Sequence, residues 1–397
     1  KRPVMVWIHG GGFLNGSADI YDAHWMTAQG DIVVVTINYR LGALGFLALD
    51  ALNGDGDVGN YGLADQQAAL RWVRDNIANF GGDADKVTIA GKSAGAMSVC
   101  DHLLAPGSAG LYRSAILQSG PCQVQADRTT AVRVSGEYAR GLGCVDPATV
   151  AVCLRGLPAS RLQSAPLYVG FGDDRLTGPV TGTRRLPQNP LTAADRRDLA
   201  EVPVLIGTNG DEFTMFVAVQ YLRDNALPPY RQMLVKTFGH DAAAVAAHYP
   251  LDRYGGQAGP AYAAAVTDSV FACPTNRLVA GMGPDAPVYA YEFNDRTAPA
   301  PDPLRRAPFP VGASHSLELR YLFNVGGAPP LNPAQRKLAD EMIAYWSEFV
   351  KTGSPNLPDQ PEWPQVGPDA ATGPLLSLQT GALSVTTDFV ARHQCAF

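Results

Sequence analysis

An α/β fold, with a mostly parallel central sheet and helices on both faces, is predicted from three observations. Apolar strand-like runs alternate with segments of helical periodicity along most of the chain. A β-branched run leads into Gly91-Lys92-Ser93-Ala94-Gly95 and then Ala96-Met97-Ser98-Val99, a strand–turn–helix context for a G-x-S-x-G segment. The first strand-like run ends directly in His9-Gly10-Gly11-Gly12-Phe13, a glycine loop at a strand's carboxyl end.

The elements follow in order. Strands are expected at Val4–His9, Ile32–Tyr39, Val87–Ala90, Ser114–Leu117, Val202–Gly207 and Val288–Phe293, each short, apolar and bounded by turn residues. Leu63, Leu70, Val73, Ile77 and Phe80 recur at helical spacing, and Gly81-Gly82 stops that helix. Asn332-Pro333 reads as an N-cap with proline at N1. Leu338, Met342, Tyr345 and Phe349 then form an apolar stripe that Gly353 and Pro355 end. Segments 121–200 and 214–287 alternate less cleanly and carry Ala-rich helical stretches broken by Pro and Gly. They are expected to cap the sheet's carboxyl edge and shape a substrate pocket. With no internal repeat and no low-complexity linker, residues 1–397 read as a single domain.

Composition narrows the possibilities. At 46% hydrophobic and 17% charged residues the chain is globular. A net charge of −6 without a Lys/Arg cluster argues against nucleic acid as a partner. No apolar run reaches the ~18–20 residues that cross a bilayer. Lys1-Arg2-Pro3 passes at once into a strand, with no initiator Met and no signal peptide, so a truncated or processed fragment is expected. Six cysteines are too few for a disulfide scaffold. Cys144 and Cys153 would close a short loop, and Cys273 and Cys395 would tether the carboxyl end, with buried free thiols as the alternative. No spacing of Cys and His suggests zinc. Asn53-Gly-Asp55-Gly-Asp57-Val58 begins like a calcium loop but lacks its glycine and closing glutamate. Asn15-Gly-Ser17 is a formal glycosylation sequon.

The chemistry-bearing residues fall in a meaningful order. G-x-S-x-G holds Ser93 exposed on a tight turn, because only small flanking residues fit there. Gly11 and Gly12, with the N–H of Ala94, could receive a developing oxyanion. His9 is expected to be structural. A serine nucleophile needs a base, and the base needs a carboxylate. Asn209-Gly-Asp-Glu212 presents two acids at a strand's end, and Gly312-Ala-Ser-His315 places a histidine in a loop after the last predicted strand. The residues alone leave Asp211 and Glu212 both open.

With these segments in view, the chain resembles the type-B carboxylesterase/cholinesterase family of α/β-hydrolases. The matching segments are Trp7-Ile-His-Gly-Gly-Gly-Phe13, Asn38-Tyr-Arg-Leu-Gly42, Gly59-Asn-Tyr-Gly-Leu-Ala-Asp-Gln66, Asn79-Phe-Gly-Gly-Asp83, the Ser93 turn, Ala115-Ile-Leu-Gln-Ser-Gly120, Asn209-Gly-Asp-Glu212 and His315-Ser-Leu-Glu318. The resemblance implies an α/β-hydrolase that cleaves small-molecule carboxylic esters without metal or organic cofactor. It implies Ser93 as nucleophile, Glu212 as acid, His315 as base and Gly11, Gly12 and Ala94 as oxyanion donors. It places Ser119 and Glu318 as polar neighbours of the triad. It favours the pairs Cys144–Cys153 and Cys273–Cys395, leaving Cys100 and Cys122 as free thiols, and disulfides suit a secreted or periplasmic protein. Two other readings are a catalytically silent adhesion or binding member of the family, and an amidase or an esterase for aromatic or polyester-derived substrates.

Two departures stand out. Glutamate usually precedes the serine in this family, and here the residue is Lys92. A cation there is expected to lower the pKa of His315 and to pair with Glu318. The family's small extra sheet, the first strands of its main sheet and the tryptophan that holds choline in cholinesterases have no counterpart here. The strand at Ile32–Tyr39 is then expected to lie at an exposed sheet edge.

Overall fold

The computed structural model describes residues 1–52, 57–282, 286–367 and 373–397. Eight strands form the central sheet: β1 (Arg2–Ile8), β2 (Val33–Ile37), β3 (Gly82–Lys92), β4 (Ser114–Gln118), β5 (Val204–Asn209), β6 (Val288–Phe293), β7 (Leu375–Leu378) and β8 (Ser384–Thr386). Their order across the sheet is β8-β7-β6-β5-β4-β3-β1-β2, with every pair parallel except β7 with β8. As expected, β2 lies at one edge.

Side-chain alternation explains why the inner strands read as continuous apolar runs. Along β1, Met5 and Trp7 enter the hydrophobic core on one face while Val4, Val6 and Ile8 enter the core on the other. Both faces are therefore covered, as a parallel sheet requires. Helix α1 (Tyr61–Asn76) buries Leu63, Leu70 and Val73 where the periodicity places them. Helix α2 (Ala94–His102) follows Ser93, and α3 (Thr214–Asp224) follows the acid turn. Helix α4 (Pro333–Thr352) has a full capping box at Asn332 and Gln335 and stops at Gly353.

Several expectations need correction. Strand β5 begins at Val204 because Pro203 has no N–H to donate, although its carbonyl accepts from Ala115 (3.0 Å). The strand expected last is followed by two more, β7 and β8, so the loop bearing His315 does not come after the last strand. At four and three residues they are too short to show a period. Segment 121–200 is less helical than expected: it holds the hairpin Val169–Phe171 with Asp174–Leu176 and the pairing of Ala126–Asp127 with Val180–Thr181. Segment 214–287 is helical and includes a π-helical turn at Thr267–Ala272.

Cys144–Cys153 and Cys273–Cys395 are joined as expected, but Cys100 and Cys122 are not free thiols: they form a third disulfide. Cys100 lies in α2 and Cys122 just beyond β4, and the two neighbouring strands bring their Cα atoms to 6.0 Å. In the calcium-like segment, residues 53–56 lie outside the described residues, and Asp57 pairs with Arg185 at 2.8 Å.

Candidate active site

Tight packing around Ser93 accounts for the small residues beside it. Ser93 has φ 58° and ψ −124°, a conformation outside the ordinary strand and helix wells. Its N–H donates to the Gln118 carbonyl (2.9 Å) and its carbonyl accepts from Met97 (2.9 Å), so strand β4 and helix α2 hold it from either side. A Cβ on Gly95 would run into the Ile8 carbonyl, with the Ile8 carbon at 2.8 Å, and one on Gly91 would meet the backbone of Gly95 and Ala96. Helix α2 can cross the sheet this closely only with glycine at both positions.

The turn after strand β5 carries Glu212. Glu212 is fully buried, with Oε1 accepting from the Asn209 N–H (2.7 Å) and Oε2 lying 2.5 Å from His315 Nδ1. Asp211, one residue earlier, turns away. It accepts from the Ala313 N–H (2.9 Å) and pairs with Arg296 (3.0 Å), so it fastens the histidine loop instead of meeting the imidazole. Of the two acids only Glu212 meets the imidazole, because the two side chains leave the turn in different directions.

His315 is buried between two phenylalanines, Phe216 and Phe271, with ring centroids 5.1 and 5.3 Å away. Burial lowers its pKa, and the charge of Lys92 lowers it further against the opposing pull of Glu212. Burial alone would raise the Glu212 carboxyl, but Lys92 first and then His315 hold it at about 2.

Lys92 pairs with Glu318 as expected, Nζ to Oε1 at 2.9 Å, and also donates to Ser119 Oγ (2.6 Å). The other Glu318 oxygen accepts from Asn209 Nδ2 (2.7 Å), which also donates to the Ser314 carbonyl (2.8 Å). Asn209 therefore ties the acid turn, the histidine loop and Glu318 together, a role that sequence reasoning missed although it had marked the segment. His9 is structural: it stacks on Tyr39 at 4.5 Å and its Nδ1 meets the Gly10 carbonyl.

Ser93, His315, Gly10, Gly11, Gly12 and Ala94 all line one cavity of about 520 Å³. The N–H groups of Gly11 and Gly12 donate to no backbone carbonyl among the described residues, which leaves them available to a ligand in that cavity. One wall is aromatic. Phe171 from the hairpin and Phe213 and Phe216 around the start of α3 line it, packed on one another with centroids 4.9–5.4 Å apart, and Phe271 from the π-helical turn backs Phe171 at 5.7 Å without lining the cavity itself. Sequence reasoning named none of the four, since they come from three segments with no shared motif. The rim carries Asp173, Asp174, Arg223 and Lys236. Among the described residues no group of three or more His, Cys, Asp or Glu side chains could hold a metal ion, and no helix is long and apolar enough to cross a membrane.

The model of the carboxylesterase family matches residues 1–397. The chain is 34% identical over 381 residues to a cocaine esterase of Oryctolagus cuniculus, covering 91% of this chain and 69% of that protein. It is 33% identical over 386 residues to an acylcarnitine hydrolase of Mus musculus, covering 92% and 67%. It is 33% identical over 386 residues to a pyrethroid hydrolase of Rattus norvegicus, covering 92% and 66%. The chain thus spans about two thirds of the length of these relatives.

Proposed function

The chain belongs to the carboxylesterase family and is a carboxylic-ester hydrolase, and from that premise we propose that it works through an acyl-enzyme on Ser93. His315 takes the proton from Ser93 as its oxygen attacks the ester carbonyl. The negative charge that develops on the carbonyl oxygen is received by the N–H groups of Gly11, Gly12 and Ala94. Glu212, ionised at any working pH, orients the imidazole through Nδ1 and stabilises the imidazolium that forms. The alcohol leaves with the proton held by His315. Water activated by the same imidazole then releases the acid.

One observation supports this reading above the others: a buried carboxylate 2.5 Å from an imidazole that shares a cavity with a strained serine and two unengaged glycine N–H groups. The aromatic wall favours esters with an apolar group of moderate size, a class consistent with the small-molecule esters named for the relatives. Three disulfides, with all six cysteines paired, support an oxidising compartment, and we place the protein outside the cell or in the periplasm.

The test is hydrolysis of p-nitrophenyl acetate, butyrate and octanoate by this chain beside Ser93→Ala. Turnover is expected to fall at least about 10³-fold in the variant. Turnover that survives the substitution in a folded protein would refute Ser93 as nucleophile.

A further inference from the structure

We propose that Lys92 and Glu318 form a charged pair that sets the acid limit of catalysis: Lys92 is a positioning residue that keeps His315 in its proton-accepting form at low pH, and Glu318 keeps Lys92 in place. The proposal rests on the triad reading above and names a control on that same site.

Strand geometry places the cation. Side chains alternate along β3, so Lys92 leaves on the face of Ala90, which packs in the core beneath α4. There it is 1% exposed, its Nζ held at 2.9 Å by Glu318 and 2.6 Å by Ser119. Glu318 is also fully buried and accepts from Gln118 Nε2 (3.3 Å) and Asn209 Nδ2 (2.7 Å). Gln118 is in turn fixed by Trp346 Nε1 of α4 (3.0 Å). Neither charge has room to swing into water.

Lys92 lines the same cavity as His315, Glu212 lies 2.5 Å from its Nδ1, and Glu318, three residues beyond the histidine, shares the Asn209 side chain with the Ser314 carbonyl of the histidine loop. Phe216 and Phe271 cover the ring and contribute no charge. The rim groups Asp173, Asp174, Arg223 and Lys236 line the cavity nearer solvent, where water screens them. Within the buried set Lys92 is the one cation, so it opposes a proton on His315, whereas both carboxylates favour one. A proton on His315 removes the base that Ser93 needs. The cation therefore extends the active range toward acid, and it does so without touching the substrate.

Opposite single substitutions give opposite shifts, and that separates an electrostatic role from a structural one. The acid limb of kcat/KM is measured from about pH 4 to 9 with 1-naphthyl acetate for the unaltered chain, Lys92→Gln, Lys92→Arg, Glu318→Gln and the double variant Lys92→Gln/Glu318→Gln. Lys92→Gln is expected to move the limb up by about one pH unit, a roughly tenfold loss of kcat/KM below it. Glu318→Gln is expected to move it down, Lys92→Arg to leave it in place, and the double variant to fall between the singles. Limbs that coincide in all variants, or that move the same way in both singles, overturn the proposal. Should Glu318→Gln fail to fold, the contrast between Lys92→Gln and Lys92→Arg decides alone. Ser93→Ala in parallel keeps the two readings apart: residual turnover there defeats the triad, whereas a dead Ser93→Ala with immobile limbs defeats only the role of Lys92.

Discussion

Replacing Gly11 by alanine isolates the oxyanion loop from the rest of the site. Gly11 has φ +112°, which L side chains rarely adopt, and a Cβ there would strike Asn15. The Asn15 carbonyl oxygen lies closest, followed by Oδ1 at 2.5 Å and the carbonyl carbon at 2.8 Å, where ordinary contact begins at 3.4 Å. The Asn15 backbone must therefore retreat by more than half an ångström. It is not free to do so alone, since the N–H groups of Leu14 and Asn15 both donate to the Gly11 carbonyl at 3.1 Å. The turn opens, and the Gly11 N–H swings off the cavity. Losing one such donor costs about 10²–10³ in kcat, or roughly 3–4 kcal/mol of transition-state stabilisation. Backbone strain of about 1–3 kcal/mol falls on stability as well. Gly12 supplies the control. Its φ of +62° lies in the left-handed well, and its Cβ would touch only Leu176 Cδ2 at 3.4 Å, so Gly12→Ala costs about 1–2 kcal/mol of strain and less than about tenfold in kcat. The assay is kcat and KM for p-nitrophenyl butyrate, with thermal melting to confirm that both variants fold. A Gly11→Ala protein within about threefold of the original, or a Gly12→Ala protein damaged more than it, refutes the assignment of this loop as oxyanion binder.

Two further predictions concern the carboxyl-terminal clamp. The Cys273–Cys395 disulfide spans 122 residues and Cys144–Cys153 only 9, so chain-entropy arguments assign about 5 and about 2.5 kcal/mol to them. Urea unfolding of the Ser/Ser double variants should show the first losing about twice as much stability, and equal losses would count against the ranking. His393, buried between Asp268 and Glu292 at 2.5 Å each, is lowered by burial but raised overall by those two carboxylates, to about 9. A raised pKa contributes stability in full below the unfolded value near 6.5, and the contribution is lost as pH climbs through about 9. The melting temperature should fall across that window in the unaltered chain and stay flatter in His393→Gln; parallel curves would show that the pair contributes nothing.

What the sequence made legible was what local sterics dictate. The glycines around Ser93 are required by backbones within contact distance, and that requirement is written in five consecutive residues. The α4 cap and stop are equally local. Features that depend on distant segments stayed hidden. Cys100 and Cys122 meet only once β3 and β4 lie side by side, so spacing alone gave no reason to pair them. Asp211 and Glu212 are chemically alike and adjacent. The resemblance favours Glu212, and the physical distinction lies in the Ala313 N–H and Arg296 on one side and His315 on the other. Lys92 and Glu318 fall between these cases: their contact is long-range, but the family resemblance placed both positions near the triad.

The site divides by origin, and that division has a consequence for specificity. Ser93 follows directly on β3, Glu212 lies in the short turn after β5, and His315 is fastened to that turn through Asp211 and Asn209. Phe171 and Phe271 come instead from the hairpin and the π-helical turn of the two segments outside the sheet. The proposed catalytic groups are thus positioned mainly by hydrogen bonds shared among buried strands and the loops that follow them. The aromatic wall is positioned by packing alone, where a single truncation alters cavity volume and shape. Phe271 bridges the two sets from behind the wall, because it packs on Phe171 and on the His315 ring at 5.3 Å. Changes at Phe271 and Phe216, which both pack on His315, should therefore alter the proposed base along with acyl preference, while changes at Phe171 should alter preference alone.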